Sequence, residues 1–461
     1  MLKIVKQRAH IIWSSNLSDA NKCLASNAFI NGAVEYYFWA VKFAIQVPKD
    51  MDIAIRDSMN ETGCKHTNLM NDVNYLPRKK GGRGLRSLED SYRHIKIKLA
   101  IKLVSDTDER IKVVKEFHDR CKETNSFSFF KDADKYASEL KLKMNVNENE
   151  NNITFLDSAT NESISENYKT SSKMLKHRTY MKYHCNIMAS SWQGVNLKQR
   201  INDEDVIDKY FDWLENWRTC PSDVVQEFIL LFYQLLSTKQ YTMMRTNEPV
   251  EDTRCRICNI SEQESIKHLI SNCSIFAQGL YTVRHNNALK CFVWPLLQLY
   301  GLIEKCPSWY AQDKVAPYYE NEKAKFWWDV PEYSGRENEH ERPPRPDGKL
   351  IVDDGTEKSI FLLEMTVPWT QNRKEKYSYK ADKYKNILIN LKFENQDYSV
   401  DQITIVMDVF GGFGNDLVEN ISKIFKRKED VSKIIKNMQK SVIASAANLS
   451  RTFKIRSKYC K

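Results

Sequence analysis

The sequence has no long apolar run. Its strongest, Phe228 to Leu236, is far too short for a bilayer core of roughly 30 Å, so no membrane partner is expected. The opening residues, Met1-Leu2-Lys3-Ile4-Val5-Lys6, contain no apolar stretch of the kind that begins a secretory signal. There is no Gly-x-Gly-x-x-Gly run and no P-loop, which removes two common phosphate cradles. Gly411-Gly412-Phe413-Gly414 has the wrong spacing for either and reads as a turn into a helix capped near Asn415. No internal repeat is present. Cysteine is not scarce, but its eleven copies are odd in number and scattered except for one cluster. That pattern suits a reducing compartment with one metal site better than a disulfide framework.

What is present is enough apolar residue, 42%, to build cores, in a chain of 461 residues that has room for two to four domains. The formal charge of +10 favours a polyanionic partner, nucleic acid first. Residues 1–105 read as helical. Ser18 is an N-cap for an apolar-rich segment running to Ala44, and Pro48 is expected to end that run. In Tyr75-Leu76-Pro77-Arg78-Lys79-Lys80-Gly81-Gly82-Arg83-Gly84-Leu85, three glycines and a proline make a loop. Its cations, Arg78, Lys79, Lys80 and Arg83, could meet phosphates, although composition alone favours a solvated basic turn. Residues 106–185 are expected to be a variable, partly disordered linker around the polar run Asn145–Asn152. Trp213, Leu214 and Trp217 mark a helix, and Val224 to Leu236 a buried one after Pro221. Further on, the pattern predicts a helix around Tyr318–Trp328, a polar loop (Tyr333 to Pro344), two strands, a helix over Lys374–Leu391, a buried central strand at Gln402–Val409 and a last helix.

Cys255-x2-Cys258-x9-His268-x4-Cys273 is the sharpest local signal. Cys-x2-Cys forms a tight knuckle that aims two thiolates at one point. His268 and Cys273 lie roughly one and a half helical turns apart, so one short helix supplies both. A Cys₃His set closes a tetrahedral shell around Zn²⁺, which implies a structural metal. His285 is the alternative to His268. The remaining cysteines, Cys460 among them, read as buried or incidental.

Residues 345–369, RPDGKLIVDDGTEKSIFLLEMTVPW, hold a second set of ligands. Val352-Asp353-Asp354 imitates a polymerase aspartate pair, but Asp353-Asp354-Gly355 is better turn chemistry. With the turn placed there, paired residue numbers sum to 711: Asp353 faces Lys358, and Asp347 faces Glu364. Opposed carboxylates lie about 5 Å apart at Cβ and repel unless a divalent cation joins them. Both faces of Ser359–Val367 are largely apolar, so Glu364 is buried and needs a partner. On the next helix Tyr377, Lys380, Tyr384, Ile387 and Leu391 share one stripe, which turns Lys380 inward. A cation beside two metal-binding carboxylates fits phosphodiester hydrolysis. Lys383 is the neighbouring alternative.

The run Arg345-Pro346-Asp347, then Leu362–Trp369, then Lys380-x2-Lys383-Tyr384 resembles the restriction-like endonuclease of site-specific non-LTR retrotransposons, a branch of the PD-(D/E)xK superfamily. The Cys₃His knuckle is similar to the one that precedes that nuclease. Trp13–Lys22, Ala25-x-Asn27 and Tyr75–Glu89 resemble the thumb that follows the reverse-transcriptase palm. Trp192-Gln193-Gly194, Trp213-Leu214, Gln234 and Tyr241 resemble the linker before the knuckle. Departures are Glu364 where the family commonly has Asp, Thr366 where a lysine is usual, and no polymerase aspartate pair.

The resemblance implies an α+β multidomain chain. Its parts are a thumb-like helical region (1–105), the variable linker (106–185), a helical linker with zinc knuckle (186–310), an α/β PD-(D/E)xK restriction-endonuclease-like domain (311–430) and a basic tail (431–461). It implies Mg²⁺ on Asp347 and Glu364, Lys380 or Lys383 assisting, and Glu320 as the acidic residue of the domain's first helix. It implies a nuclear protein that nicks target DNA for target-primed reverse transcription, with the element's RNA as a possible second partner and the polymerase part of the element missing from this chain. Arg78, Lys79, Lys80 and Arg83 would grip nucleic-acid backbone. The alternative is a catalytically inactive or co-opted nucleic-acid-binding remnant.

Overall fold

The computed structural model describes residues 1–124, 126–147, 151–166, 168–203, 209–246, 249–260, 263–331, 345–355 and 358–459. The expected loop at Tyr333–Pro344, Cys460 and part of the polar run near Asn145 therefore lie outside the described residues. The chain divides into two compact units, Met1–Gly194 with Arg218–Asp223, and Val195–Trp217 with Val224–Lys461. Both α-helix and β-sheet are present. No described helix is long and apolar enough to cross a membrane.

In the first unit, helix α1 (Leu2–Ser14) buries Val5, Ala9, Ile12 and Trp13, one stripe at helical spacing. Ser18 caps α2 (Asp19–Ala25) by accepting from the Asn21 amide, as its position predicts. The apolar segment is not one helix. It passes through a π turn, Ser26–Asn31, into Gly32–Ala40. Pro48 lies in the first turn of α3 (Gln46–Glu61), so it helps to start a helix where it was expected to stop one. Its missing N–H costs nothing there, because the first four amides have no intrahelical acceptor. Helix α4 (Leu88–Ser105) runs through the core, with Tyr92, Ile97 and Ala100 fully buried.

Residues 106–185 are not a loose linker. They form α5 (Phe129–Glu139), an antiparallel sheet of β1 (Leu142–Asn147), β2 (Asn152–Asp157) and β3 (Ser163–Glu166), and α6 (Tyr168–Ala189). Phe130, Leu142, Ile153, Phe155 and Leu175 from this region share one core with Trp13, Phe38 and Tyr92. The polar residues hid these elements because β2 alternates buried and half-buried positions.

In the second unit, Trp213 and Leu214 are buried on the helix Asp212–Asn216, and α7 (Ser222–Phe232), which enters this unit at Val224, buries Val224, Val225 and the run Phe228 to Phe232. Helix α8 (Thr282–Leu299) follows the cysteine cluster. The expected helix at Tyr318–Trp328 is a hairpin of two strands, β4 (Tyr318–Glu320) and β5 (Ala324–Trp328). With β6 (Gly348–Asp353), β7 (Lys358–Thr366) and β8 (Ser399–Val406) they form one sheet in sequential order. All pairs are antiparallel except β7 with β8. A parallel pair needs a crossover, and here it is α9 (Arg373–Lys383) and α10 (Lys385–Glu394), two helices broken at Tyr384 where one was expected. β8 is the last strand of the sheet and not a central one, yet it is buried because helices cover it.

The sheet has two apolar faces. Phe326, Leu350, Leu363, Met365 and Ile403 join a core with α8, α11 (Asn415–Ile424) and α12 (Lys428–Arg456). Ile360, Leu362 and Val400 pack with Tyr384, Ile387 and Leu391 on the other side. The expected basic tail after residue 430 is α12, a 29-residue helix that lies along α8 and buries Ile434, Met438 and Val442.

Candidate metal centres and their surroundings

Cys255, Cys258, His268 and Cys273 gather with their ligand atoms all within 4.8 Å of one another. Cys258 Sγ lies 3.3 Å from His268 Nε2. Cys255, His268 and Cys273 are buried. Four soft donors at this separation suit a tetrahedral ion with Zn–S bonds of roughly 2.3 Å, and they leave no open position. The cluster can hold a metal such as zinc. His268 rides on a π turn, His268–Asn272, that Tyr281 holds in place. The Tyr281 hydroxyl accepts from the Cys273 amide at 3.1 Å and donates to the Leu269 carbonyl at 2.6 Å. Buried Glu264 staples the other side, accepting from Arg256 Nη2 at 2.6 Å and from the Lys239 amide at 2.9 Å. His285 is not an alternative ligand, since its ring is engaged elsewhere.

The β6–β7 pairing has the expected register: Gly348 opposes Leu363, and Asp353 opposes Lys358. Asp353 ends β6 where the turn begins, bonded to Lys358 at 3.3 Å and to the Tyr398 hydroxyl at 3.0 Å. Asp347 directly precedes β6, next to the buried Glu364 end of β7. Asp347 Oδ2 accepts from the Met365 amide at 2.7 Å and lies 3.1 Å from His285 Nε2. His285 reaches this point from α8, and the same nitrogen lies 3.2 Å from the Met365 carbonyl. Burial alone would lower the His285 pKa, but the hydrogen bond to Asp347, the charge of Asp347 and the bonds to Asn286 and the Met365 carbonyl together raise it to about 9.

Glu364 Oε1 is ion-paired with Lys380 and lies 3.6 Å from Lys383 Nζ. Its other oxygen, Oε2, is buried and has no hydrogen-bond partner among the described residues. A buried carboxylate oxygen without a partner is costly. Lys383 donates to the Tyr384 hydroxyl at 2.7 Å, which donates to the Arg345 carbonyl at 2.8 Å. Burial, then the charge of Glu364, push the Tyr384 pKa upward, so it stays a neutral donor. Gln402 bonds the Lys380 carbonyl at 2.8 Å and fixes the helix turn that carries the lysine. Among the described residues only the Cys₃His group unites three or more metal-type side chains at such short range, so this second centre rests on two carboxylates.

Other candidates fare differently. Glu320 is on no helix. It sits on β4, two strands from β6, exposed and paired with Lys325 at 2.6 Å. Arg83 is 1% exposed and paired with Asp19, and its other nitrogen donates to the Cys64 carbonyl. Arg78 binds the same Asp19 at 2.6 Å. Both arginines are therefore structural, and of the four loop cations only Lys79 is exposed, with Lys80 half-buried. The neighbouring segments interlock with this loop. Lys22 donates to the Trp13 carbonyl at 2.9 Å, and Asn27 bonds the Gly84 carbonyl at 2.9 Å and the Arg86 amide at 2.8 Å.

Gly411 has φ of +77°, and a Cβ on Gly412 would sit 1.7 Å from Arg200 Nη1. Arg200 pairs with Asp408 at 2.8 Å in full burial, and Asp408 also accepts from the Gly412 amide at 3.0 Å. The glycine run is thus a packing site around a buried ion pair, which no short-range pattern announced. His285 and Tyr384 were also missed as site residues. The available signal was a polar residue on the inward face of an apolar helix. No protein-family model matches this chain, and no curated protein matches its sequence.

Proposed function

We propose that the second unit is a metal-dependent DNA endonuclease of the PD-(D/E)xK kind. On this reading the chain is the thumb-to-nuclease portion of a non-LTR retrotransposon protein, works in the nucleus and carries zinc as a structural ion. The observation that carries the proposal is Glu364, a buried carboxylate with one oxygen on Lys380 and the other without a partner among the described residues, one register position beyond the Gly348–Leu363 pair and so opposite Asp347. Asp347 and Glu364 would hold Mg²⁺, which supplies an activated water and neutralises charge on the pentavalent phosphate. Asp347 is presented by the Met365 amide and His285. Lys380, held through its carbonyl by Gln402, keeps an ammonium at the site to meet the scissile phosphate or orient the attacking water. Tyr384 and Lys383 close the other side. DNA is the expected substrate and the element's RNA a second partner, drawn by the charge of +10.

Nicking of supercoiled plasmid tests this. The protein with Mg²⁺ is expected to yield open circles, and Asp347→Ala, Glu364→Ala and Lys380→Ala each to lose on the order of 10² or more in rate. Nicking unchanged in Asp347→Ala overturns the site. Salt-sensitive DNA binding without any nicking by the unaltered protein would leave the inactive, binding-only reading.

A further inference from the structure

A cleft of about 340 Å³ lies between α8 and α12, and neither Asp347 nor Glu364 lines it. Ala444 and Ser445 of α12 line it, Trp309 and Tyr310 stand on one side, and Asn287 and Asn448 contribute from the two helices. Trp309 meets Trp217 edge-on at 5.2 Å, which fixes its plane. Tyr310 crosses it at 90° and is 68% exposed. The Lys440 ammonium lies 6.0 Å from the Trp309 ring. Neither Asn287 nor Asn448 has a side-chain hydrogen-bond partner among the described residues.

This combination selects a ligand. A purely apolar guest would leave two amides unanswered. Each amide offers both a donor and an acceptor, which is what the edges of a nucleobase require. The rings offer π-faces for its plane, and Lys440 adds positive charge beside them. We infer that the cleft binds an unpaired nucleobase of a single strand. The inference rests on the nucleic-acid reading above, and it adds a place where a strand opened near the cut is held.

The test is the affinity of a labelled single strand of roughly 12 nucleotides, against an otherwise identical strand with abasic sites, without added divalent metal. Trp309→Ala removes the platform, but Trp309 also packs on Trp217. Tyr310→Ala and Asn448→Ala, both at exposed positions, therefore serve as the second and third variants. Each variant is expected to weaken binding of the base-bearing strand, with Trp309→Ala costing about fivefold or more, the range of one base stack. The abasic strand should bind the unaltered protein more weakly and be indifferent to the substitutions. Unchanged affinity in all three variants, or equal losses for both strands, overturns the inference. Plasmid nicking read in parallel keeps the two proposals apart, because the cleft can fail with nicking intact, and nicking can fail with base-dependent binding intact.

Discussion

His285 shows how one residue positions another. Its Nε2 spans Asp347 Oδ2 and the Met365 carbonyl, and its Nδ1 lies 2.9 Å from Asn286 Oδ1. The ring therefore cannot swing without releasing the carboxylate. If Asp347 holds the catalytic metal, His285→Ala should lower apparent Mg²⁺ affinity for nicking by about 10- to 100-fold, the usual effect of removing a residue that orients a metal ligand. The rate at saturating Mg²⁺ should recover in large part. A Mg²⁺ titration that coincides with that of the unaltered protein would remove His285 from this role. Arg83 teaches the opposite lesson. A cation in a glycine-rich loop looked like a phosphate contact, but Asp19 claims it in the interior. A paired buried arginine is held by the cost of leaving its partner's charge alone.

At the level of elements, the knuckle depends most directly on a ligand. Its segment has little regular structure of its own, with a π turn, short turns and one isolated bridge between Arg254 and Gln263. Metal binding is then part of its folding energy. Cys255→Ser should abolish stoichiometric zinc. It should also lower the melting temperature of the second unit by about 8–16 °C, for a loss of about 4 kcal/mol in a domain of this size. Zinc content unchanged by that substitution would exclude this cluster as the site. The knuckle and the β6–β7 register were legible in the sequence because each depends on close spacing: one on a two-residue gap and a helical turn, the other on period-two alternation about a turn. Tyr318–Trp328 was not legible. A short stretch mixing aromatics with charges satisfies helix and strand alike, and only pairing with β6 decides it. The same holds for 106–185, whose apolar residues are sparse but meet a core laid down by α1 and α4. The site was half legible. Glu364 and Lys380 could be inferred from neighbouring periodicities, but His285 reaches Asp347 from 62 positions away in sequence.

Across the whole molecule, each unit has its own buried apolar core, so unfolding is expected in two transitions. Acid should act on the first through His94 of α4, which bonds Thr179 of α6 at 2.8 Å. Burial, then the nearby Lys176 and Lys98, lower its pKa from 6.5 to about 4. The folded state thus binds the proton more weakly than the unfolded chain. The contribution is complete above pH 6.5 and disappears as pH falls through about 4. At about 1.4 kcal/mol for each tenfold change in proton affinity, it amounts to at most about 3.5 kcal/mol. Asp52 works in the other direction. Burial raises its pKa to about 6, so protonation below that point favours the fold. The informative quantity is therefore the difference between the protein and His94→Gln. Urea unfolding, followed by hydrogen exchange resolved to α4 and α6, should show the protein losing more stability than the variant between pH 7 and pH 4.5. The second unit should be insensitive to the substitution. Parallel pH profiles for the two proteins would show that His94 carries no linkage, and equal effects on both units would show that the chain unfolds as one body.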